Sequence, residues 1–450
     1  MGVATAWALV FLEPGSLQGT TLAIVAIPLF FTFVYELAIH PVLAITCLMM
    51  ASVVSRYALE VANLNARPEH VMAGLMFLTL PFIWNRRENR IDWARADKLL
   101  IAYMAANLVS SIFMSPDAKQ TIKWAVQQIL AILPYFWLRL LAGREDIFRR
   151  AFRILLMVAT AEAAYAIAAQ YSNLLFSTGF GMSLEQYGDL GAPFGTLYEP
   201  NFLGAYCAAA AVMMLTMYIR KGGFWYIAGY MLTLAGMALS FSRAALLTCI
   251  VALSFVLFLA LRRRWVNKRM LLRIFLASAI VWVALSPVIF RSYEERFSQI
   301  EVGDVNADPN VLTRTVQLAM GVDQWLDHPI LGNGTISFQL MFDWQSLGSD
   351  WEALGWLGNT EIRILHDTGI VGFGLFVAFV ISLVSAARRV MRERDIPELL
   401  ALMVGAGVYL LTFQATEGTV MAFCWVHLGL IGCAVAAYSR AEPLSAGQRS

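Results

Sequence analysis

The sequence predicts an all-α polytopic membrane protein, and three observations predict it. Hydrophobic residues fill 59% of the 450 positions and charged ones only 14%, against roughly 25% charged in ordinary soluble domains. Mean hydropathy is +0.64 and is spread along the chain instead of being confined to one anchor. Lys and Arg gather in alternate connections between apolar runs, as the positive-inside rule requires of a multi-pass chain. A soluble enzyme is thereby excluded. A net charge of +2 gives no sign of a nucleic-acid partner. The cysteines Cys47, Cys207, Cys249, Cys424 and Cys433 all lie in apolar runs, which excludes a disulfide framework or zinc-ligand spacing. No basic n-region or cleavage site precedes the first long apolar run, so the chain is read as mature.

Crossing the hydrocarbon core takes about 20 mostly apolar residues. Such runs lie near 20–38, 40–55, 69–84, 97–114, 120–140, 148–172, 201–219, 223–240, 242–261, 270–290, 361–386, 397–415 and 418–437. The first two are tightly joined at Ile39-His40-Pro41 and residues 3–12 offer a partial span, so 12–13 transmembrane helices are expected in one integral domain, 1–450. Basic connections place the cytoplasmic side: Arg86 to Lys98, Arg139 to Arg150, Arg220-Lys221, Arg262 to Arg269 and Arg388 to Arg394. The tail with Arg440 and Arg449 returns to that side.

Two external segments are too long to be simple connectors, 173–200 and 291–360, and function tends to sit on such loops. In the second, Asp308-Pro309 predicts a helix start. Leu312, Val316, Ala319, Val322 and Leu326 then recur at helical spacing, an amphipathic helix lying on the outer face or packed on the bundle. Pro329 to Gly334 stops it, with His328 closing its end.

Nine of the 33 basic residues fall outside on this topology: Arg56, Arg67, Lys119, Lys123, Arg243, Arg291, Arg296, Arg314 and Arg363. Arg243 sits in a tight external turn and Arg314 in the first turns of the amphipathic helix. A guanidinium presents a rigid fork of donors matching phosphate oxygens, so these two suit a lipid-linked phosphate or diphosphate; headgroup snorkelling or a structural ion pair is the alternative for any one of them. Tyr198-Glu199-Pro200-Asn201 opens the span after the first long loop. Pro200 holds Glu199 extended, Asn201 is placed to cap the helix, and Glu199 is a candidate base or sugar-hydroxyl ligand. Between Gly358 and Gly369, Asn359, Glu361, Arg363, His366 and Asp367 crowd the entry of a span, where ionisable residues are rare and face the bundle interior or a water-filled cavity. Arg363 and Asp367 form an i,i+4 pair. His366 and Asp367, adjacent and about 100° apart, are expected not to pair. Glu162 lies mid-span and Glu417 in the external turn 415–419, each structural or catalytic, and His427 reads as a packed core histidine.

The order of these motifs resembles the O-antigen ligase and O-antigen polymerase superfamily. Its carriers here are Glu199-Pro200-Asn201, Ser242-Arg243-Ala244, Arg314, Trp325, His328 to Gly334, Asn359 and Thr368 to Gly372. They cover roughly residues 195–375 by motif and the whole chain by hydropathy layout. The resemblance implies a GT-C-like helical fold in the bacterial inner membrane. It also implies glycan transfer from an undecaprenyl-diphosphate-linked donor at the periplasmic face, to another lipid-linked repeat in a polymerase or to lipid A core in a ligase. With the reading of the residues themselves, the catalytic candidates are Arg243, Arg314, Glu199 and His366 and the substrate-binding ones Tyr198, Asn201, Asn359, Glu361, Arg363, Asp367 and Glu417, the base being open among His366, Glu199, Glu361 and Glu417. No metal and no cofactor are expected; the expected partners are donor, glycan or lipid-linked acceptor, membrane lipids and a chain-length regulator. The ligase pattern has a His directly before the Asn of the loop-to-helix motif, where this chain has Gly358, which ranks polymerase above ligase. A lipid or polysaccharide flippase and a non-catalytic scaffold are the alternatives from other classes.

Overall fold

The computed structural model describes residues 29–61, 64–84, 93–183, 191–297, 309–341 and 356–439. The expected partial span at 3–12, the cap at Asp308 and the basic residues Arg86, Arg87 and Arg90 lie outside them. Among the described residues a helix occupies each of the thirteen apolar runs, and one more lies in the second long loop. In chain order they are α1 (Leu29–Ile39), α2 (Pro41–Val53), α3 (Pro68–Trp84), α4 (Arg95–Phe113), α5 (Ala118–Leu141), α6 (Glu145–Phe176) and α7 (Pro200–Lys221). There follow α8 (Phe224–Leu239), α9 (Arg243–Arg262), α10 (Lys268–Phe297), α11 (Pro309–Asp327), α12 (Thr360–Glu393), α13 (Pro397–Thr412) and α14 (Ala422–Ser439). Eight are long and apolar enough to cross a membrane. α1 and α2 form a pair bent by 109° where Pro41 opens the second helix. The protein is an all-α polytopic membrane protein.

Two short antiparallel hairpins decorate it, Leu59–Val61 with Leu64–Ala66 and Met182–Ser183 with Ala192–Pro193. The first expected loop begins late, because α6 runs on to Phe176. The core is built on α7, whose apolar span is wholly buried. Its run Ala208 to Ala211, fully buried, lets neighbouring backbones approach closely, the usual means of packing helices where lipid is as apolar as protein.

Ion pairs sort to the two ends of the bundle. At the basic end Arg139 is buried against Asp97 (2.9 Å) and donates to Gly432 O (2.8 Å), while Tyr135 OH donates to the same carboxylate (2.7 Å). Arg220 and Lys221, closing α7, pair with Asp395 and Glu398. The opposite, loop end holds the N-termini of α7, α11, α12 and α14. His427 is a core histidine, its Nε2–H donating to Leu402 O over 2.7 Å.

α12 is broken at Gly369 (φ 62°, ψ −169°). The turn after α11 fills the break. Ile370 and Val371 N–H, which lose their helical partners, donate to Pro329 O (2.9 Å) and Ile330 O (3.2 Å). The carbonyls of His366 and Asp367 accept from Asn333 N (2.8 Å) and Gly334 N (3.0 Å), and Ser110 Oγ of α4 also donates to Asp367 O (2.6 Å). The approach is backbone on backbone: a Cβ at Gly332 would lie 2.4 Å from Thr368 N, and one at Gly369 2.3 Å from Ile330 C and O. Gly332→Ala and Gly369→Ala should therefore each cost more than about 2 kcal/mol, read as a fall in melting temperature or in yield of monodisperse protein in detergent. Gly374→Ala, with nothing within 4 Å of its added Cβ, should be silent. Equal melting of all three would contradict the docked turn.

Candidate active site

α11 is amphipathic, but oriented opposite to the usual globular case. Val322 and Leu326, from the expected apolar stripe, are exposed, as is Leu318 beside them. The face turned to α12 carries Arg314, Gln317, Gly321, Gln324 and His328, a polar seam at spacings of three and four. A Cβ at Gly321 would meet Leu357 Cδ2 at 2.6 Å, so the helix is pressed against the entry of α12. His328 closes the helix end as expected: its Nδ1 shares a hydrogen bond with Asn333 Oδ1 (2.7 Å), and Asn333 Nδ2 donates to Gln324 O (2.9 Å).

Beneath the seam lies a buried polar network. Arg363, 4% exposed, bonds Asp367 (3.3 Å), Glu417, Thr419 (3.5 Å) and Gln128 (3.5 Å). Gln128 Nε2 in turn donates to Tyr103 OH (3.2 Å). A guanidinium out of water persists only with its charge and donors matched, which here takes groups from α4, α5, α12 and the turn before α14. Asp367 Oδ2 also accepts from Ile336 N (2.8 Å), and Thr419 N donates to Glu417 (2.7 Å).

His366 is fully buried, and the expectation that it would not pair with Asp367 is wrong. Its Nδ1 lies 2.9 Å from Asp367 Oδ1 and its Nε2 3.0 Å from Gln324 Oε1. The turn of the helix separates the two Cβ atoms, but both side chains fold toward the same cleft below the break. Both ring nitrogens are thus occupied. Glu361 joins a different group, accepting from Gln414 Nε2 (2.5 Å), while Asn359 caps α12 by accepting from Ile362 N (2.9 Å) and donates to Gln414 O (3.0 Å). At Gly358 an added Cβ would stand 3.2 Å from Gln317 Oε1, so a side chain there would reach the seam.

At the mouth, Tyr198 and Glu199 stand on a segment held from three sides. Thr196 donates its N–H (2.6 Å) and hydroxyl (2.8 Å) to Glu162, whose mid-span carboxylate thereby has a structural use. Arg56 lies 3.7 Å over the Phe194 ring and donates to Tyr198 O (3.1 Å). Arg67 sits 5.6 Å over the Tyr198 ring and 3.8 Å from the fully buried Glu69. Glu199 itself is the N-cap of α7, with Pro200 at the first helical position. The cap expected of Asn201 is therefore corrected: Asn201 is the second helical residue, too late to cap. Burial pushes the Glu199 carboxyl above its ordinary value and the Arg314 guanidinium pulls it back, so the two loops bring this acid and this base together. Arg243 opens α9, exposed, behind the capping Ser242. Its turn rests on α7, where a Cβ at Gly204 would lie 2.5 Å from Ser240 Oγ and 2.9 Å from Ser242 Cβ.

The structure thus joins Arg363, His366, Asp367 and Glu417 in one network, and Glu199 with Arg314 and Tyr198 at its mouth. Gln128, Gln317, Gln324, Thr419 and Glu69 were not singled out from sequence, and Arg67 only as one of the nine external basic residues. The seam was legible as polar residues recurring opposite the apolar stripe of α11; Gln128 and Thr419 carry no such signal.

This arrangement, a polar cluster sunk into one end of a helical bundle beneath an external amphipathic helix, defines a multi-pass membrane protein with a site at its loop end. Residues 228–377, about a third of the chain running from α8 past the break in α12, match the family described as O-Antigen ligase. The match bears out the resemblance to the O-antigen ligase and polymerase superfamily that the motifs carry, and it takes in Arg243, Arg314, Asn359, Arg363, His366 and Asp367. Among curated proteins no relative matches the chain.

Arg363→Met should destabilise the protein by about 3–5 kcal/mol, because it leaves two buried carboxylates without their cation. Arg363→Met combined with Glu417→Leu should recover part of that loss. Scanning fluorimetry in detergent measures both, and native-like melting of Arg363→Met alone would remove the network from the list of what holds the fold.

Proposed function

We propose that the protein is a membrane glycosyltransferase that extends or transfers glycan from an undecaprenyl-diphosphate-linked donor at the external face of the bacterial inner membrane, with polymerisation as the leading activity. The observation that carries this reading is that Arg314, at the loop end of the polar seam, stands near enough to Glu199 to favour its carboxylate. Arg314 and Arg243 bind the diphosphate, for which a planar fork of donors is suited. The acceptor hydroxyl attacks the anomeric carbon while the bond from that carbon to the diphosphate oxygen breaks. The electron pair and the growing negative charge go to the diphosphate, where the arginines stabilise them. The hydroxyl proton goes to Glu199. His366, with both nitrogens engaged and no exposure, acts as a positioning residue that fixes Gln324 and with it the register of α11. Tyr198, Asn201, Asn359 and Glu361 line the approach for sugar. The ligase reading remains second, since Gly358 leaves vacant the position of the family's histidine.

Arg314→Lys and Arg243→Lys should each lower transfer by about 10²-fold or more without loss of folded protein, measured as glycan length on gels from complemented cells. Normal length in both would sink the assignment. Glu199→Gln should lower turnover by about 10²–10⁴-fold. A base acts deprotonated, so with its carboxyl raised the acid limb of the native rate profile should lie above the range of an ordinary glutamate, and the residual rate of Glu199→Gln should lack that limb. An unchanged limb would remove Glu199 as base. In a deletion strain, single-repeat product identifies a polymerase and unattached full-length polymer a ligase.

A further inference from the structure

At the basic end, remote from this site, the first turns of α6 carry three arginines in two different states. Arg149 is paired, to Glu145 (2.7 Å) and to Tyr438 OH (3.1 Å). Arg150 and Arg153 have no ion pair or hydrogen bond among the described residues, and both are exposed. Three apart on a helix, they share a face. They line one wall of an open cavity of about 180 Å³ whose other lining residues are Leu156, Met157, Trp225 and Tyr226. The last two stand in the first turn of α8, which follows α7 after two residues.

Each wall points to the same ligand. Two unpaired guanidiniums offer two forks to one phosphate. Trp and Tyr are the residues that settle at headgroup level in a bilayer. Arg150 and Arg153 lie about 8–12 Å along the helix from its start, a depth at which a phosphate would reach them, and Leu156 and Met157 lie one turn deeper, where acyl chains begin. The space fits a headgroup and leaves the chains to lipid. A zwitterionic headgroup would bring its own cation against two arginines, so an anionic one fits better. We propose that Arg150, Arg153, Trp225 and Tyr226 form a binding site for the phosphate of an anionic phospholipid, on the leaflet facing the basic end.

Full-length protein in phosphatidylcholine nanodiscs, titrated with phosphatidylglycerol and read by native mass spectrometry, tests this. The native chain should hold a phosphatidylglycerol molecule that the Arg150→Gln/Arg153→Gln variant binds about thirtyfold more weakly, two charges being lost near an anionic headgroup. Trp225→Ala, which keeps every charge, should also weaken retention. Arg263→Gln/Arg264→Gln removes two exposed arginines of the same end and should leave retention unchanged. Equal loss in both double variants would mean general surface attraction, and undiminished retention in the first would mean no site; either overturns the proposal. So would glycerol phosphate displacing the lipid at matched concentration, which would make the site one for a soluble phosphate.

Discussion

A helix cannot be broken at membrane depth unless its freed amides and carbonyls find partners, since each left bare in hydrocarbon costs several kcal/mol. The break at Gly369 meets that condition through the turn 329–335, which returns two carbonyls and two N–H groups to the interrupted ladder. Everything at the loop end follows from this docking. It fixes where α11 ends, hence which of its faces looks at α12, hence that Gln324 meets His366 and that Arg314 lies within electrostatic reach of Glu199. It also explains why glycine stands at the points of contact, where an added Cβ would fall well inside van der Waals contact with backbone.

The second constraint is the burial of Arg363. One cation among two carboxylates, one amide and two hydroxyl-bearing residues is costly to desolvate and rigid once assembled. Its partners come from four parts of the chain, so it locks α4, α5, α12 and the turn before α14 into one frame. The frame leaves the seam on α11 as the polar surface between the network and the mouth. Geometry held by such a supporting shell is more exact than geometry resting on loops alone, and here Arg314 stands on α11 while the segment that carries Glu199 is tied down by Glu162, Arg56 and Arg67.

The fold was largely legible. Among the described residues hydropathy located every helix but α11, which its helical spacing located, because lipid demands long apolar runs; the unusual polar cluster from Asn359 to Asp367 marked the candidate site because such residues are rare in spans. What the sequence hid was orientation. For α11 the apolar stripe Val316 to Leu326 was seen, but the rule that apolar faces point at protein fails beside a membrane, where lipid accepts Leu318, Val322 and Leu326 as readily as a core does. For Asn201, the proline at 200 fixed the first helical residue and so made Glu199 the cap. For His366 and Asp367, angular separation of Cβ atoms ignored the freedom that a broken helix gives the side chains below the break.

The same orientation bears on the choice of base. Sequence left the base open among His366, Glu199, Glu361 and Glu417, and of these His366 and Glu199 differ most in setting. Burial separates them. A base must touch the hydroxyl it deprotonates, and an imidazole with no exposure and a partner on each nitrogen cannot do so without dismantling the network that holds Gln324. Glu199 is half-buried, beside the arginine assigned to the leaving group, on a segment whose extended backbone is set by Pro200. Its two influences are opposed: burial raises its proton affinity, which the proposed base needs, while Arg314 favours its ionised form. On the proposed function, a donor diphosphate bound at Arg314 would draw off part of that positive influence and make the Glu199 carboxylate a stronger base when substrate is in place.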